Sequence, residues 1–524
     1  MFIKRLSRFL AVSFAALLST SSLATPSVIT NIGAIEGVSS NGVEVFKGIP
    51  FAKAPEGDLR FAPPVKADAF AAPFKANTFC QIPYQSSFSN YAAMPGSGKN
   101  SLCLNIYRPR NANENSKLPV YVWIYGGAYV LGAGSIPLYD GTSFAKDGVI
   151  LVTFNYRLGA EGFFSSKTTY KKYGTTGNWG HLDMIMALDW VNSHIAAFGG
   201  DNKNITVGGE SAGAYATSAL ILSPLAKGKF QKAILQSGTI INKPIVEFDG
   251  STNRNLAMSR SSTLATLFGS EDSDEGLALL RSIDPILLSY QCGFDYDFVH
   301  NKGSFLPPFL DGKVLPLSPY QALKDDEYNP VDVLLGYNTD EGTLFTDPNI
   351  IKEEFYEGLD SNYDKNTALV LKDLYKVDDK HTAYQRSSEY MSDMMFTLGM
   401  KAFADKLSQK QNVYMYHFDY ATKNDLSFGT GVRHGSEIKY AFDNLSNESS
   451  NEQKDIAKIT HMRFVNFIKT GDPNSDGSNK TFLTWPKYDT KDKAVFKINT
   501  LSGIEKFNLF DKLEMLEKEI FKDE

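Results

Sequence analysis

The chain has 524 residues, of which 43% are hydrophobic, 13% aromatic and 21% charged, with a formal net charge of −6. That balance excludes a disordered or fibrous chain, and the length allows a large core without staples; it also gives a soft expectation of about two to four domains, which a large α/β enzyme can satisfy as one unit. An acidic chain without a Lys/Arg cluster argues against nucleic acid or an anionic membrane as a partner.

The N-terminus reads as an export address. Lys4, Arg5 and Arg8 precede the apolar run from Phe9 to Leu18, and Ser22-Leu23-Ala24 offers the small residues that a signal peptidase reads. The run is shorter than the roughly 20 residues of a membrane span. Residues 1–24 are therefore expected to be a signal peptide, with a mature chain of 25–524 that is secreted or periplasmic. Their loss moves the formal charge from −6 to −9. Elsewhere no apolar stretch approaches membrane length. The three cysteines, Cys80, Cys103 and Cys292, allow one disulfide and leave one thiol over. With no C-x-x-C spacing and no histidine cluster, no metal or other cofactor is called for.

Through the middle of the chain, apolar β-rich runs alternate with helical patterns, which predicts an α/β fold on a large, mostly parallel sheet. The strands are expected at Pro119–Tyr125, Val149–Asn155, Ile205–Val207, Lys232–Gln236, Val331–Leu335 and Asn412–Tyr420. Most are apolar on both faces, as strands covered by helices on both sides should be. A long helix is expected from about Asn178 to Ala197, with Leu182, Met186, Trp190 and His194 near one face. Residues 242–325 and 347–410 break this rhythm with helix-rich, Gly/Ser/Asp-punctuated sequence and read as insertions that wall a site. Near the C-terminus, Leu509, Leu513, Leu516 and Ile520 predict an amphipathic helix, lying on its own body or serving as a dimer contact. The chain is accordingly expected to be a monomer or a homodimer.

Gly209-Glu210-Ser211-Ala212-Gly213 follows the Ile205 strand and precedes a plausible helix, Ala212–Leu220. The bare G-x-S-x-G pattern is weak, but in a strand–turn–helix setting it predicts a serine at the tip of a tight, strained turn. Side chains two residues before and two after such a serine would clash. The hydroxyl then lies at a helix N-terminus, whose free amides favour developing negative charge. A second glycine motif, Gly126-Gly127-Ala128, ends the Pro119 strand and leaves amides able to hold an oxyanion.

A serine hydroxyl needs a base and a group to orient that base. Chain order in such folds is serine, acid, histidine. Among the late histidines, His417 sits mid-strand among aromatics, His461 lies in a helical pattern and His381 in a polar loop. His434, in Gly431-Val432-Arg433-His434-Gly435-Ser436-Glu437, is placed in a loop after a strand and is the candidate base. The acid falls in Thr339-Asp340-Glu341-Gly342, where composition does not choose between Asp340 and Glu341.

These motifs, with Gly48-Ile49-Pro50-Phe51-Ala52, Leu59-Arg60-Phe61, Leu104-Asn105-Ile106-Tyr107-Arg108-Pro109, Asn155-Tyr156-Arg157-Leu158-Gly159, Gln236-Ser237-Gly238, Gly471-Asp472-Pro473-Asn474 and Trp485-Pro486, resemble the type B carboxylesterase/cholinesterase family over nearly the whole mature chain. The resemblance implies an α/β-hydrolase fold. It also implies a serine hydrolase of small to medium carboxylic esters that works through an acyl-enzyme. It names Glu341 as the acid beside Ser211 and His434. The amides of Gly127, Ala128 and Ala212 become the oxyanion donors, and Glu210, Ser237 and Glu437 supporting residues. Where the family carries a Glu-Asp-Cys triplet, this chain has Lys99-Asn100-Ser101, with Cys103 two residues later; by resemblance Cys103 pairs with Cys80, leaving Cys292 alone. The family's choline-site tryptophan has no counterpart; Tyr91 falls nearest, which favours general carboxylesterase over acetylcholinesterase activity. Ala128 in the oxyanion loop carries the expectation that bulky alcohols are accepted. Two other readings are an adhesion protein of the same fold and a long-chain lipase.

Overall fold

In a computed structural model, the described residues are 25–85, 96–241, 254–291, 306, 308–427, 429–475 and 483–522. The expected leader 1–24, Tyr91 and Cys292 lie outside them. Fourteen strands are described, β1 Ser27–Thr30, β2 Gly33–Glu36, β3 Val38–Ser40, β4 Val43–Pro50, β5 Phe74–Lys75, β6 Cys103–Pro109 and β7 Leu118–Ile124 forming the first half. The second half comprises β8 Ile150–Phe154, β9 Gly200–Glu210, β10 Lys232–Gln236, β11 Asp332–Asn338, β12 Val413–Phe418, β13 Ala494–Ile498 and β14 Gly503–Lys506.

Eleven of them form one sheet in the order β14-β13-β12-β11-β10-β9-β7-β8-β6-β4-β3. The run from β8 through β13 is parallel throughout, and only the margins are antiparallel. All five residues of β8 and of β10 are buried, the pattern of strands covered on both faces. β1, β2 and β5 form a small separate sheet.

The predicted strands lie within a few residues of these bounds, except that β9 extends on both sides of Ile205–Val207. The helix Trp179–His194 is buried nearly all round, with Met184, Leu188 and Val191 fully covered, while the expected stripe residues Leu182 and Met186 are only half-buried. A helix inside a large protein has partners on several sides, so a single-stripe pattern understates its burial. The C-terminal helix Phe510–Ile520 buries Leu513, Leu516 and Ile520 against the body of its own chain. Cys80 and Cys103 are joined by a disulfide at the start of β6.

Buried ion pairs fix the loops at the strand ends. Arg157, after β8, donates from Nε and Nη2 to Asp183 Oδ2 and Oδ1, both at 2.8 Å, and from Nη1 to the Ala62 carbonyl at 2.8 Å. The same loop holds the segment after β7, since Gly159 N donates to the Tyr129 carbonyl at 2.7 Å. Arg60 plays a parallel part by pairing with Glu161 and donating to the carbonyls of Arg281 and Ile283, which ties down the helices of the first insertion. Removing one partner of a fully buried pair strands the other charge. Asp183→Ala is therefore expected to lower unfolding stability by about 3–5 kcal/mol, read as a fall in the urea midpoint; an unchanged midpoint would mean that Arg157 finds other acceptors.

Candidate active site

β9 runs directly into Ser211 and the helix Ala212–Leu222, all eleven residues of which are buried. Ser211 has φ 56° and ψ −128°, a conformation that side chains rarely adopt and that persists only where the surroundings impose it. The surroundings here are tight. A Cβ at Gly209 would lie 2.4 Å from the Ile124 carbonyl oxygen, and one at Gly213 would lie 2.0 Å from the same atom. Ser211 N donates to the Gln236 carbonyl at 3.0 Å, and Ala214 N and Tyr215 N donate to the Ser211 carbonyl at 2.8 and 2.9 Å.

The segment after β7 meets this turn. A Cβ at Gly126 would stand 3.0 Å from Ser211 Cβ and 2.7 Å from the Glu210 carbonyl oxygen. Gly127, Ala128 and Tyr129 follow at φ 112°, 55° and 60°, and the Gly127 carbonyl accepts from Val130 N and Leu131 N. Within the described residues no hydrogen bond takes the amides of Gly127, Ala128 or Ala212. The residues expected to supply oxyanion donors thus keep three amides unspent beside the serine turn.

Glu341 begins a short 3₁₀ turn after β11 and is fully buried. Its Oε1 accepts from Asn338 N at 2.7 Å, and its Oε2 lies 2.6 Å from His434 Nδ1. Asp340 does something different, its Oδ2 accepting from Val432 N at 2.8 Å. A Cβ at Gly431 would sit 2.1 Å from that oxygen. Of the two acids left open by composition, Glu341 holds the imidazole and Asp340 holds the backbone of the loop that carries it.

His434 Nε2 is buried without a hydrogen bond among the described residues. It stands 3.2 Å from Glu210 Oε1, outside hydrogen-bond geometry. Burial disfavours the imidazolium, but the carboxylates of Glu210 and Glu341 outweigh it and hold His434 above the usual imidazole range. Glu210 is pushed up to about 8 by burial, against the attraction of His434 and with the repulsion of Glu437 and Glu341. Glu437 is raised by burial and then by Glu341. It reaches the site indirectly, accepting from Gln236 Nε2 at 3.1 Å and from Asn338 Nδ2 at 2.6 Å. Ser237 is buried at φ 52° with its hydroxyl unpartnered among the described residues, and its amide donates to the Gly336 carbonyl.

The other late histidines are engaged elsewhere. His417 pairs with Glu505 and Thr339, His461 with the Ala441 carbonyl and Asp147, and His381 with Asp378. The pocket wall includes residues that sequence reasoning did not name. Ala128, Ser211, Ala212, Tyr215, Phe345, Met395 and Phe396 line a narrow space of about 20 Å³. The rings of Phe345 and Phe396 also pack on His434, with centroids 5.2 and 4.6 Å away. Met395 and Phe396 belong to a π-helical turn, Asp393–Thr397, whose Met395 carbonyl accepts from the Tyr215 hydroxyl. Tyr215 was legible as one helical turn after Ser211. The π-turn residues were not, because nothing local pairs them with a serine some 180 positions earlier.

The sequence model described as the carboxylesterase family matches residues 24–510. The chain belongs to the carboxylesterase family. Over 496 residues it is 32% identical to the para-nitrobenzyl esterase of Bacillus subtilis (strain 168), covering 91% of this chain and 96% of that one. It is 33% identical over 503 residues to carboxylesterase 1D of Rattus norvegicus, covering 86% and 84%. A solved structure of PNB esterase superposes with a TM-score of 0.80 at 30% identity, covering 94% of this chain and 99% of the other. The chain is thus a serine carboxylesterase that hydrolyses carboxylic esters on an α/β-hydrolase fold. Among the described residues no helix is long and apolar enough to cross a membrane, and no group of three or more His, Cys, Asp or Glu could hold a metal ion.

The serine turn of this carboxylesterase yields a direct test. A methyl at position 213 would have to displace backbone at Ile124, the residue that leads into Gly126 and Gly127. Displacements of about 1 Å in such a site cost roughly 100-fold in rate, so Gly213→Ala is expected to lose at least that factor in kcat/KM on a chromogenic neutral ester. A variant with unaltered kinetics would show that the turn tolerates a Cβ.

Proposed function

We propose that Ser211, His434 and Glu341 form the catalytic triad of this esterase, with the amides of Gly127, Ala128 and Ala212 as the oxyanion hole. The observation that carries the reading is the buried Glu341–His434 contact at 2.6 Å. It fixes the imidazole proton on Nδ1 and leaves Nε2, unpartnered among the described residues, as the acceptor for a hydroxyl proton. In the proposed cycle His434 takes the Ser211 proton as Oγ attacks the ester carbonyl. The three amides hold the oxyanion, and His434 returns the proton to the departing alcohol. Water then repeats the sequence on the acyl-enzyme and releases the carboxylic acid.

Glu210 and Glu437 are supporting carboxylates in this reading. Glu210 stabilises the imidazolium formed in each half-reaction, and Glu437 acts through Asn338 and Gln236. The apolar and aromatic walls of the pocket suit uncharged acyl groups, in keeping with small to medium esters of uncharged acids. The chain is further read as one catalytic unit over 25–524, exported by residues 1–24.

Ser211→Ala is expected to lower kcat by about 10⁴-fold or more. A fluorophosphonate should label the unaltered enzyme at Ser211 alone. Full activity in the variant, or an absence of adduct, overturns the assignment and favours a binding protein of the same fold.

The pH dependence follows from the sign of the His434 shift. The base form is the active one, and His434 is raised, so the acid limb of kcat/KM should lie above the unperturbed imidazole value. Glu210→Gln removes a neighbouring negative charge, destabilises the imidazolium and should move that limb to lower pH by about one unit or more. A limb that stays in place in the variant would mean that Glu210 carries no charge during turnover.

A further inference from the structure

Behind the loop that carries Glu341 lies a second cavity of about 510 Å³, far larger than the space at Ser211. That volume is within the range of small-molecule sites. Its walls mix polar and apolar groups. Two of its lining residues, Tyr337 and Ser388, are 3% and 7% exposed, and their hydroxyls have no hydrogen-bond partner among the described residues. Buried hydroxyls are ordinarily satisfied, and orphaned ones destabilise a fold unless a ligand or water completes them. Both belong to well-packed elements, β11 and the helix Ala383–Ser392, so neither can readily turn to solvent.

The charges around the cavity are unequal. Lys512 is spent on Glu389 at 2.8 Å and Asp393 at 2.5 Å, and Arg386 supplies a second cation to Glu389. Asp340 also lines the cavity and has no cationic partner within ion-pair distance among the described residues. Among the described residues its carboxylate accepts one hydrogen bond, from the amide Val432 N to one of its two oxygens. One carboxylate thus lacks an ion-pair partner among the described residues, on a cavity whose lining also includes two residues with hydroxyls that can each donate and accept.

We propose that this cavity is a second small-molecule site, distinct from the ester site, and that it takes a small aminopolyol cation. The ammonium pairs with Asp340, and the ligand hydroxyls complete Tyr337 and Ser388. The site stands back to back with the triad. Asp340 precedes Glu341, and Gly342 N donates at 2.8 Å to Ser392 Oγ on the cavity's helical wall. That wall continues into the π-turn that carries Met395 and Phe396 on the other side.

The test uses the full-length enzyme and three probes on one carbon skeleton, measured by calorimetry and ligand-observed NMR. These are serinol (2-amino-1,3-propanediol), neutral glycerol and anionic glycerate. Serinol is expected to bind with a millimolar Kd, as suits a ligand of so few atoms, and at least about tenfold more tightly than glycerol. Glycerate should not bind. The double variant Tyr337→Phe/Ser388→Ala should lose about tenfold or more in serinol affinity while retaining ester hydrolysis, which shows that it folds. Ser211→Ala should bind serinol as the unaltered enzyme does. Undetectable serinol binding, equal binding of glycerol, unchanged affinity in the double variant, or loss of binding in Ser211→Ala would each overturn the proposal.

Discussion

The contact between the Ile124 carbonyl and the bare Cα atoms of Gly209 and Gly213 governs the active-site end of this molecule. Because both glycines close on that one oxygen, β9 can turn directly into the buried helix Ala212–Leu222 with Ser211 held at φ 56°. The strain at Ser211 persists because the parallel sheet on one side and the buried helix on the other leave no relaxed alternative. The same close approach brings Gly126 against Ser211, so one packing constraint sets both the serine and the amides beside it. Charged pairs further out, Arg157 with Asp183 above all, keep the neighbouring loops from moving away.

The electrostatic character of the site follows from burial. Glu210, Glu341 and Glu437 surround a single imidazole where water cannot screen them, so burial and the neighbouring carboxylates raise Glu210 and Glu437, while Glu210 and Glu341 hold His434 up against its own burial. Glu341 is committed by two short contacts, to Asn338 N and to His434. Asn338 and Gln236 then hold Glu437, which links β10 and β11 to the loop that bears His434. The ring is oriented by a carboxylate on one nitrogen and confined by the neighbouring rings of Phe345 and Phe396. This is how a long loop delivers a side chain with the precision of a strand.

The second cavity and the ester pocket share their dividing wall, and the π-turn Asp393–Thr397 is part of it. A π-turn adds a residue to a helical turn and frees a carbonyl from the helix ladder. Here the Met395 carbonyl accepts from the Tyr215 hydroxyl, so the helix that follows Ser211 grips the insertion directly. The C-terminal helix reinforces the other side through Lys512 and through Lys401 to Glu517 at 2.8 Å. The last elements of the chain thus brace a wall of the pocket opened by the middle ones.

The sequence by itself determined what is periodic or sterically forced. The parallel strands were legible because each is apolar on both faces and separated by helical patterns, and β10 was readable to its end residues. The serine turn was legible because only glycine fits on either side of it, and the histidine because one late loop had the right setting. Local sequence left Asp340 and Glu341 open, since two adjacent acids carry the same chemistry and differ only in where the turn aims them. The tertiary structure separated them, one onto the imidazole and one onto an amide. It alone brought Met395 and Phe396 to Ser211, gave Ser237 a backbone rather than a side-chain part, and placed Tyr337 and Ser388 in the wall of a shared cavity. Those outcomes depend on contacts between segments far apart in the chain, which periodicity and motif spacing do not encode.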